Sequence, residues 1–329
     1  MKYRKVPRIA EELSVIGFGC WSVAGYNWTD GSTSESTRAV HAAIDMGVNF
    51  FDVAPIYGFG ESEIALGQAL KGKREKVFLA TKCGLRWDYK DGPGINDLTP
   101  GHILKEIDES LRRLKTDRVD LYQMHWMDHA TPIEETMETL KSLVAAGKVR
   151  YIGASNFSLS EIARADAIHP VAAHQALYNM FDRNSDSYCG IPLEYAAERE
   201  ILPDCAQNGR AFIPYSPLCQ GVLSGRFYRG RDRDLKPGDM RLTNPEILGE
   251  KLDRKLDVVE LLKKLADEAG LTLLELAMGW LLKRPGVTTI ISGSRTVEQA
   301  ESGARCGDLE ISDDVFARAT QILDENGFN

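Results

Sequence analysis

Four residues that can take part in proton transfer lie at the ends of short apolar segments of the chain or shortly after them. Asp52 ends NFFD, Tyr57 follows it by five residues, Lys82 ends VFLATK and His125 ends DLYQMH. A tyrosine hydroxyl ordinarily has a pKa of about 10, and an ammonium group beside it lowers that pKa by favouring the phenolate. A carboxylate near the lysine would keep the ammonium charged and oriented, while an imidazole could donate a hydrogen bond to a carbonyl oxygen. The set therefore suits polarising a carbonyl group while another molecule delivers a hydride.

Other chemistries find less support in the residue pattern. A single polar residue at a strand end ordinarily marks only the strand boundary, but four of them aimed at one rim favour a shared site. No nucleophile and base with an orienting third group stand out, which disfavours acyl transfer. A metallohydrolase using Asp52, His125 and Glu61 stays as an alternative, although no H-x-H or similarly spaced ligand cluster supports it, and we expect no metal.

The elements that must position these residues alternate regularly along the chain. We predict eight apolar strands separated by segments of helical period. Apolar strands that are each followed by a helix indicate a parallel sheet covered on its outer face, and eight such units predict a (β/α)8 TIM barrel with its active site at the C-terminal ends of the strands. The predicted strands are 15–19, 49–53, 77–82, 119–125, 149–155, 172–175, 211–216 and 288–293, and the predicted helices include 34–46, 103–114, 134–146, 194–208, 253–269 and 273–283.

Three further features complete the expected architecture. We expect residues 1–329 to form a single barrel domain with an N-terminal hairpin under its floor and a C-terminal helix after Ser312. An open doubly wound sheet is disfavoured because neither G-F-G segment, at 17–19 or 58–60, completes the G-x-G-x-x-G dinucleotide fingerprint. Residues 226–252, rich in Arg, Asp, Gly and Pro, predict a long surface loop that is either a lid or a solvated insertion.

Composition excludes several classes of protein. The 329 residues are 43% hydrophobic and 27% charged, as in globular proteins with a substantial core. The net charge of −8 and the scattered basic residues disfavour a nucleic-acid partner. No apolar run approaches the roughly 20 residues that span a bilayer, and the first residues, MKYRKVPRIAEEL, lack the apolar core typical of a signal peptide, so we expect a cytoplasmic protein without a membrane partner. The six cysteines lack any C-x-x-C pair and are expected to be buried free thiols, whereas the oligomeric state is not indicated.

Three blocks of sequence, FFDVAPIYGFGESEIALGQAL, DRVDLYQMH and VRYIGASNF, occur in this order across nearly the whole chain. Together they resemble the signature set of the aldo-keto reductase superfamily. The resemblance implies a barrel that binds NADPH in an extended form without a Rossmann motif and reduces aldehydes or ketones with an Asp-Tyr-Lys-His tetrad. That tetrad matches Asp52, Tyr57, Lys82 and His125, with Tyr57 as the general acid, Lys82 and Asp52 tuning it, and His125 orienting the substrate carbonyl.

The same resemblance implies contacts to the nicotinamide and the pyrophosphate of the cofactor. The motifs that carry them are GASNF, AHQ and YSPLCQGVLSGR. The matched residues are Ser155, Asn156 and Gln175 for the carboxamide, Tyr215 for stacking on the ring, and Ser216, Leu218, Gly221 and Leu223 for the segment that folds over the pyrophosphate.

The resemblance extends to the adenosine end of the cofactor, where SGSRTVEQAESG is similar to the family's phosphate-binding loop. An arginine offers charge and a bidentate fork to a 2′-phosphate that NAD lacks, so Arg295 predicts a preference for NADPH. The family often has Glu-Asn later in this loop, where the alignment places Ser302 and Gly303, so a strict preference for NADPH over NADH stays open. The matched residues are Gly293, Ser294, Arg295 and Gln299.

Aromatic residues are expected to wall the substrate pocket above the nicotinamide. Clustered rings at a barrel rim suit an apolar or sugar face. The motifs YQMHW and TKCGLRW look similar to the bacterial branch that reduces small aldehydes, sugar-derived carbonyls and related ketones. A second hypothesis is an NADP(H)-binding regulatory subunit on the same barrel with little or no turnover. The expected pocket residues are Trp21, Trp87 and Trp126, with Tyr26, Trp28 and Tyr89 as further candidates.

Overall fold

Eight parallel strands form the predicted barrel in the computed structural model, which describes residues 1–25 and 33–329. The strands are β1 (Ile16–Gly19), β2 (Phe50–Asp52), β3 (Phe78–Cys83), β4 (Val119–Met124), β5 (Val149–Ser155), β6 (Val171–Leu177), β7 (Ala211–Tyr215) and β8 (Ile290–Gly293). Their order around the sheet is β7-β6-β5-β4-β3-β2-β1-β8. Closure between β7 and β8 uses a parallel bridge from Phe212 to Val287 and a 2.9 Å hydrogen bond that the Thr288 N–H donates to the Phe212 carbonyl.

The two-residue period of the strands divides the barrel interior into layers. Side chains of alternate residues point to the same face of a strand. The lower interior layer is apolar and includes Phe50, Ala80, Leu121 and Ala173, and the N-terminal hairpin closes it from below with Ile9 and Leu13. The residues two positions further along these strands form the next layer, and they are all polar: Asp52, Lys82, Gln123 and Gln175.

The helices cover the outer face of the sheet largely as expected. The helices are α1 (Thr33–Asp45), α2 (Glu61–Ala69), α3 (Pro100–Leu114), α4 (Ile133–Ala145), α5 (Leu159–Asp166), α6 (Leu202–Asn208), α7 (Gly249–Glu268), α8 (Leu273–Lys283), α9 (Val297–Arg305) and α10 (Asp313–Glu325). Their N-terminal ends follow ordinary capping rules, since Thr99 accepts a hydrogen bond from the His102 N–H at the start of α3 and Ser312 accepts one from the Val315 N–H at the start of α10.

The helix predicted over 194–208 is shorter and less regular than expected. Residues 194–196 are not helical, and a π-helical turn at Ala197–Ile201 leads into α6. Pro203 explains the interruption, because it has no N–H to donate to the carbonyl of Arg199 and its ring crowds that carbonyl.

Residues 226–252 pack on the barrel in part, since Phe227 and Ile247 belong to the large apolar core cluster while much of the segment is exposed. It contains three short 3-10 helices, Arg231–Asp234, Met240–Thr243 and Pro245–Ile247, and α7 begins inside it at Gly249. Ile247 is fully buried, and Asp239 and Arg241 form a buried bidentate pair with N–O distances of 2.8 and 2.5 Å.

The two chain ends take the expected forms. An antiparallel hairpin of Tyr3–Val6 and Ile9–Ser14 lies under the barrel floor, and α10 follows Ser312. All six cysteines are free thiols; five are buried and Cys189 is half-buried. Across the described ranges, none of the helices has both the length and the hydropathy that crossing a bilayer requires.

Candidate active site

The four predicted catalytic residues meet at the C-terminal rim of the barrel. The Lys82 ammonium donates to Asp52 Oδ2 at 2.6 Å, to the Tyr57 hydroxyl at 3.0 Å and to the Val53 carbonyl at 3.2 Å. The His125 ring packs edge-on against the Tyr57 ring with centroids 5.9 Å apart. Asp52, Lys82 and His125 are buried, and Tyr57 is half-buried. The arrangement is a continuous chain from a buried carboxylate through an ammonium to a phenol that lies at the edge of the solvent-accessible rim.

Burial governs the protonation of this cluster. It raises the pKa of the Tyr57 phenol, and the opposing effect of the Lys82 ammonium is smaller, so the net shift is upward and not downward as the sequence led us to expect. Burial also opposes the charge on Lys82, but Asp52 and Tyr57 together raise the pKa of its ammonium. For His125, burial and the Lys82 charge both lower the pKa well below the usual value. Near neutral pH the cluster therefore holds a protonated phenol, a charged ammonium and a neutral imidazole.

Gln123 belongs to this cluster although the sequence analysis did not select it. Its Nε2 donates to Asp52 Oδ1 at 3.0 Å, and Gln175 Nε2 donates to the same oxygen at 2.9 Å. The signal was present in the strand period, because Gln123 lies two residues before His125 and hence on the same face of β4.

The residues expected at the nicotinamide form a second polar network beside the tetrad. Asn156 has a positive φ of 63°, and its amide nitrogen donates to the His125 carbonyl at 3.2 Å and to Ser155 Oγ at 3.1 Å. Its amide oxygen accepts from the hydroxyls of Tyr195 and Tyr215, each at 2.9 Å. Both ends of the Asn156 amide are thus engaged, and Tyr195 is a member of this network that the sequence analysis missed.

Tyr188 is another aromatic residue that sequence reasoning missed. It lies in a short hairpin of Ser187–Tyr188 and Ile191–Pro192, and its ring packs edge-on against Tyr215 at 5.2 Å. Its hydroxyl lies 3.3 Å from Ser216 Oγ and accepts a hydrogen bond from Gln220 at 3.2 Å. The hairpin therefore brings a ring next to the residue expected to stack on the nicotinamide.

The segment matched to the pyrophosphate contains an unusual run of left-handed backbone. Ser216, Cys219, Gln220 and Gly221 have φ values of 53°, 47°, 51° and 105°. Left-handed conformations cost roughly 1–2 kcal/mol for a residue other than glycine, so such strain is retained at sites with a function. Leu218 is half-buried, whereas Leu223 is fully buried in the core. Backbone N–H groups in turns of this kind form concavities that bind anions, which fits a pyrophosphate.

The loop after β8 carries the residues matched to the adenosine phosphate. Gly293 is exposed, Ser294 is buried and Arg295 is half-buried. The Arg295 N–H donates to Gln299 Oε1 at 2.9 Å, and Thr296 caps α9. The Arg295 charge also contributes to lowering the pKa of Asp239, behind larger effects from the hydrogen bonds of Arg241, so residues 226–252 approach this loop.

At Gly303, one of the two positions that depart from the family pattern, α9 packs closely on β8. A Cβ there would lie 3.0 Å from Ser292 Oγ, so a side chain at 303 would require the Ser292 hydroxyl to shift by a few tenths of an ångström.

The aromatic residues expected to line the substrate pocket lie in different environments, and not all of them are at the rim beside the tetrad. Trp21 stacks on Tyr57 with ring centroids 5.8 Å apart, and Trp87 packs edge-on against Phe59 at 5.6 Å. Trp126 is half-buried against the large apolar cluster on the β6–β8 side. Tyr89 is 66% exposed, and Tyr26 and Trp28 lie outside the described residues. Trp21 is therefore the predicted pocket residue with a direct contact to the tetrad.

The metal-dependent alternative does not fit this geometry. Both oxygens of Asp52 are engaged by Lys82, Gln123 and Gln175, and Glu61 is exposed at the start of α2. Within the described part of the chain, the one group of three potential metal-ligating residues is His129, Glu161 and Glu194, none of which belongs to the tetrad.

Comparison with known proteins places this geometry in a family. Residues 15–324 match the model of the Aldo/keto reductase family. The chain is 34% identical to "Aldo-keto reductase yakc [NADP(+)]" of Schizosaccharomyces pombe, over 95% of this chain and 89% of that protein. It is 33% identical to the NADH-specific methylglyoxal reductase of Escherichia coli, over 92% of each chain.

A solved structure agrees with these sequence matches. The glycerol dehydrogenase of Gluconobacter oxydans superposes with a TM-score of 0.86 and 31% sequence identity, covering 99% of this chain and 96% of that one.

Proposed function

We propose that this chain, which belongs to the aldo/keto reductase family, reduces a small aldehyde or ketone to the alcohol with NADPH, using Tyr57 as the general acid. The observation that carries the proposal is the buried chain from Asp52 through Lys82 to the Tyr57 hydroxyl, with contacts of 2.6 and 3.0 Å. Tyr57 is the member of that chain that borders the rim, where a substrate could reach it.

The residues present fit a nicotinamide dinucleotide phosphate. In the strained segment 216–221 the N–H groups of Cys219 and Gly221 are bonded within the turn, which leaves those of Leu218 and Gln220 for a pyrophosphate. Arg295 offers a guanidinium to a 2′-phosphate. Tyr215 presents an aromatic ring beside Asn156, on the side of the barrel where Ser155 ends β5 and Gln175 lies two residues before the end of β6. The cofactor would supply the hydride when bound.

The chain's own residues would handle the proton and the carbonyl oxygen. Tyr57 would donate its hydroxyl proton to the carbonyl oxygen as that oxygen gains negative charge. The Lys82 ammonium would then stabilise the phenolate, and Asp52 would keep Lys82 charged and in place. Neutral His125 has one ring N–H, which would hold the carbonyl oxygen by a hydrogen bond. Trp21, stacked on Tyr57, would exclude water from one side of the reacting group.

The substrate class follows from the lining of the site and from the relatives. Trp21 and Tyr188 present aromatic faces near the tetrad and its neighbour Tyr215. The relatives include proteins named for methylglyoxal and for glycerol, which are both three-carbon compounds. We therefore propose short carbonyl compounds that carry a neighbouring oxygen.

A carbonyl panel tests the proposal. The purified protein would be incubated with NADPH and, separately, with methylglyoxal, glyceraldehyde, dihydroxyacetone and benzaldehyde, while oxidation of NADPH is followed by absorbance. We expect turnover with at least one three-carbon substrate, and no change after treatment with a chelator. Binding of NADPH without oxidation by any carbonyl would contradict the proposal and match the regulatory-subunit hypothesis instead.

A further inference from the structure

We infer that Gln123 is a positioning residue for the reduction, holding the Asp52 carboxylate so that Lys82 and Tyr57 stay aligned; the inference rests on the function proposed above. Gln123 would not touch the substrate. It would act through Asp52, by fixing the carboxylate oxygen that Lys82 does not use.

The contacts of Asp52 divide cleanly between its two oxygens. Oδ2 accepts from the Lys82 ammonium at 2.6 Å, and Oδ1 accepts from the side-chain amides of Gln123 and Gln175 at 3.0 and 2.9 Å. A buried carboxylate oxygen without a donor is strongly destabilised, so loss of the amide donors would favour rotation of the carboxylate. Such a rotation would also move Oδ2 away from Lys82.

Of the two glutamine side chains, that of Gln123 is the more buried, and it has no other role in the proposed reaction. It is fully buried, and its Oε1 accepts from Gln175 Nε2 at 3.3 Å. The family resemblance assigns Gln175 to the carboxamide of the cofactor, so its amide has a competing partner when the cofactor binds. Within the described residues, the hydrogen-bond partners of the Gln123 side chain are Asp52 and Gln175. Gln123 is therefore the donor that keeps Asp52 in place in both states.

The chemical type of residue 123 is not explained by core packing. Leu121, two residues earlier on the same face of β4, is apolar and packs with Phe50 and Phe78 in the barrel interior. An apolar residue at position 123 would extend the apolar layer of the barrel interior towards the C-terminal ends of the strands. An amide there adds a hydrogen-bond donor and no charge, which leaves Asp52 and Lys82 as a matched pair.

The direct test is Q123M, because methionine has nearly the same length as glutamine and lacks its donor. We expect kcat to fall about ten- to a hundredfold while the Kd for NADPH changes less than about twofold. Y122F, which alters a buried residue on the opposite face of the same strand, is the matched control and should keep the wild-type kcat. An unchanged kcat in Q123M, or a loss of similar size in Y122F, would overturn the assignment.

A second variant, Q123E, gives a readout that a purely structural role would not produce. At high pH it places a carboxylate against Asp52 Oδ1, and the two negative charges repel. As the pH falls and the new carboxyl group takes up a proton, it becomes a donor to Oδ1 and restores the contact. We expect the ratio of Q123E to wild-type kcat to rise as the pH is lowered from 8 to 5.5; a ratio independent of pH would overturn the inference.

A crystal structure of Q123M with NADP(+) bound separates this inference from the proposed function, because in the ligand-free protein Gln175 still donates to Asp52 Oδ1. In the cofactor complex we expect the Asp52 Oδ2 to Lys82 Nζ distance to exceed 3.5 Å, and an undisturbed 2.6 Å contact would overturn the inference. If the wild-type protein reduces no carbonyl compound, the proposed function fails while the structure still tests the placement of Asp52. If the wild type is active and Q123M matches it, the inference alone fails.

Discussion

The two ends of the candidate site are built differently. At the tetrad end, Asp52, Lys82 and Gln123 are each at most 3% exposed, and Lys82 and Gln123 both donate hydrogen bonds to Asp52. At the adenosine end, Gly293 is exposed and Arg295 is half-buried on a loop between β8 and α9. The candidate catalytic residues are therefore assembled inside the barrel, whereas the residues expected to choose the cofactor stand nearer its surface.

This difference determines which changes the fold tolerates. Removing one partner from a buried ion pair strands the other charge and costs about 3–5 kcal/mol, so the tetrad can change only as a unit. A surface arginine can be replaced at small cost to stability. One relative is named for NADP(+) and another is NADH-specific, so proteins similar to this chain differ in their cofactor. With the roles proposed above, chemistry and cofactor choice would reside in regions that can change separately.

The largest expected effect comes from the tetrad end. Y57F removes only the hydroxyl, and we expect kcat to fall about 10²–10⁴-fold with NADPH binding retained, because the proton donor is lost while the ring stays. Steady-state kinetics together with fluorescence titration of NADPH would measure both quantities. Y3F, which removes a hydroxyl bonded to the Gly47 carbonyl at the barrel floor, is the matched control. Near-normal turnover in Y57F would show that the acid is misassigned.

A smaller effect is expected at the adenosine end. R295A should raise KM for NADPH about ten- to a hundredfold and leave KM for NADH nearly unchanged, since a hydrogen bond to a charged group contributes roughly 1.5–3 kcal/mol. The kcat with saturating NADPH should stay close to that of the wild type. R305A removes an exposed arginine from the end of α9 and serves as the control. Equal effects on both cofactors would contradict the role given to Arg295 and weaken the contrast between the two ends.

The smallest expected effect is on the pH dependence of stability, and it concerns a histidine buried in the barrel wall. His174 precedes Gln175 on β6 but is fully buried on the opposite face, where burial and the nearby Arg210 lower its pKa to about 3. The unfolded chain takes up a proton near pH 6.5 and the folded chain does not, so this residue destabilises the fold as the pH falls from 6.5 towards 3. Urea unfolding should show that H174L loses about 2 kcal/mol less than wild type between pH 7 and pH 5. Equal losses in the two proteins would show that His174 is not held neutral.

The sequence predicted most of the fold because its periods were clear. All eight barrel strands, the N-terminal hairpin and the C-terminal helix lie where the pattern indicated. The exceptions have local causes that cannot be seen in the spacing of apolar residues. Pro203 interrupts the helix expected over 194–208, and burial of Ile247 in the core anchors a segment whose composition resembles a solvated loop.

The sequence by itself determined which residues could do the chemistry, since strand ends and the two-residue period place Asp52, Lys82 and His125 at one rim. Tertiary structure alone decided their protonation and their partners. Desolvation depends on the whole surrounding fold, and it reversed the expected direction of the Tyr57 pKa shift. Contacts between distant strands, such as Gln123 and Gln175 on Asp52, join residues 71 and 123 positions apart, and no local pattern contains that information.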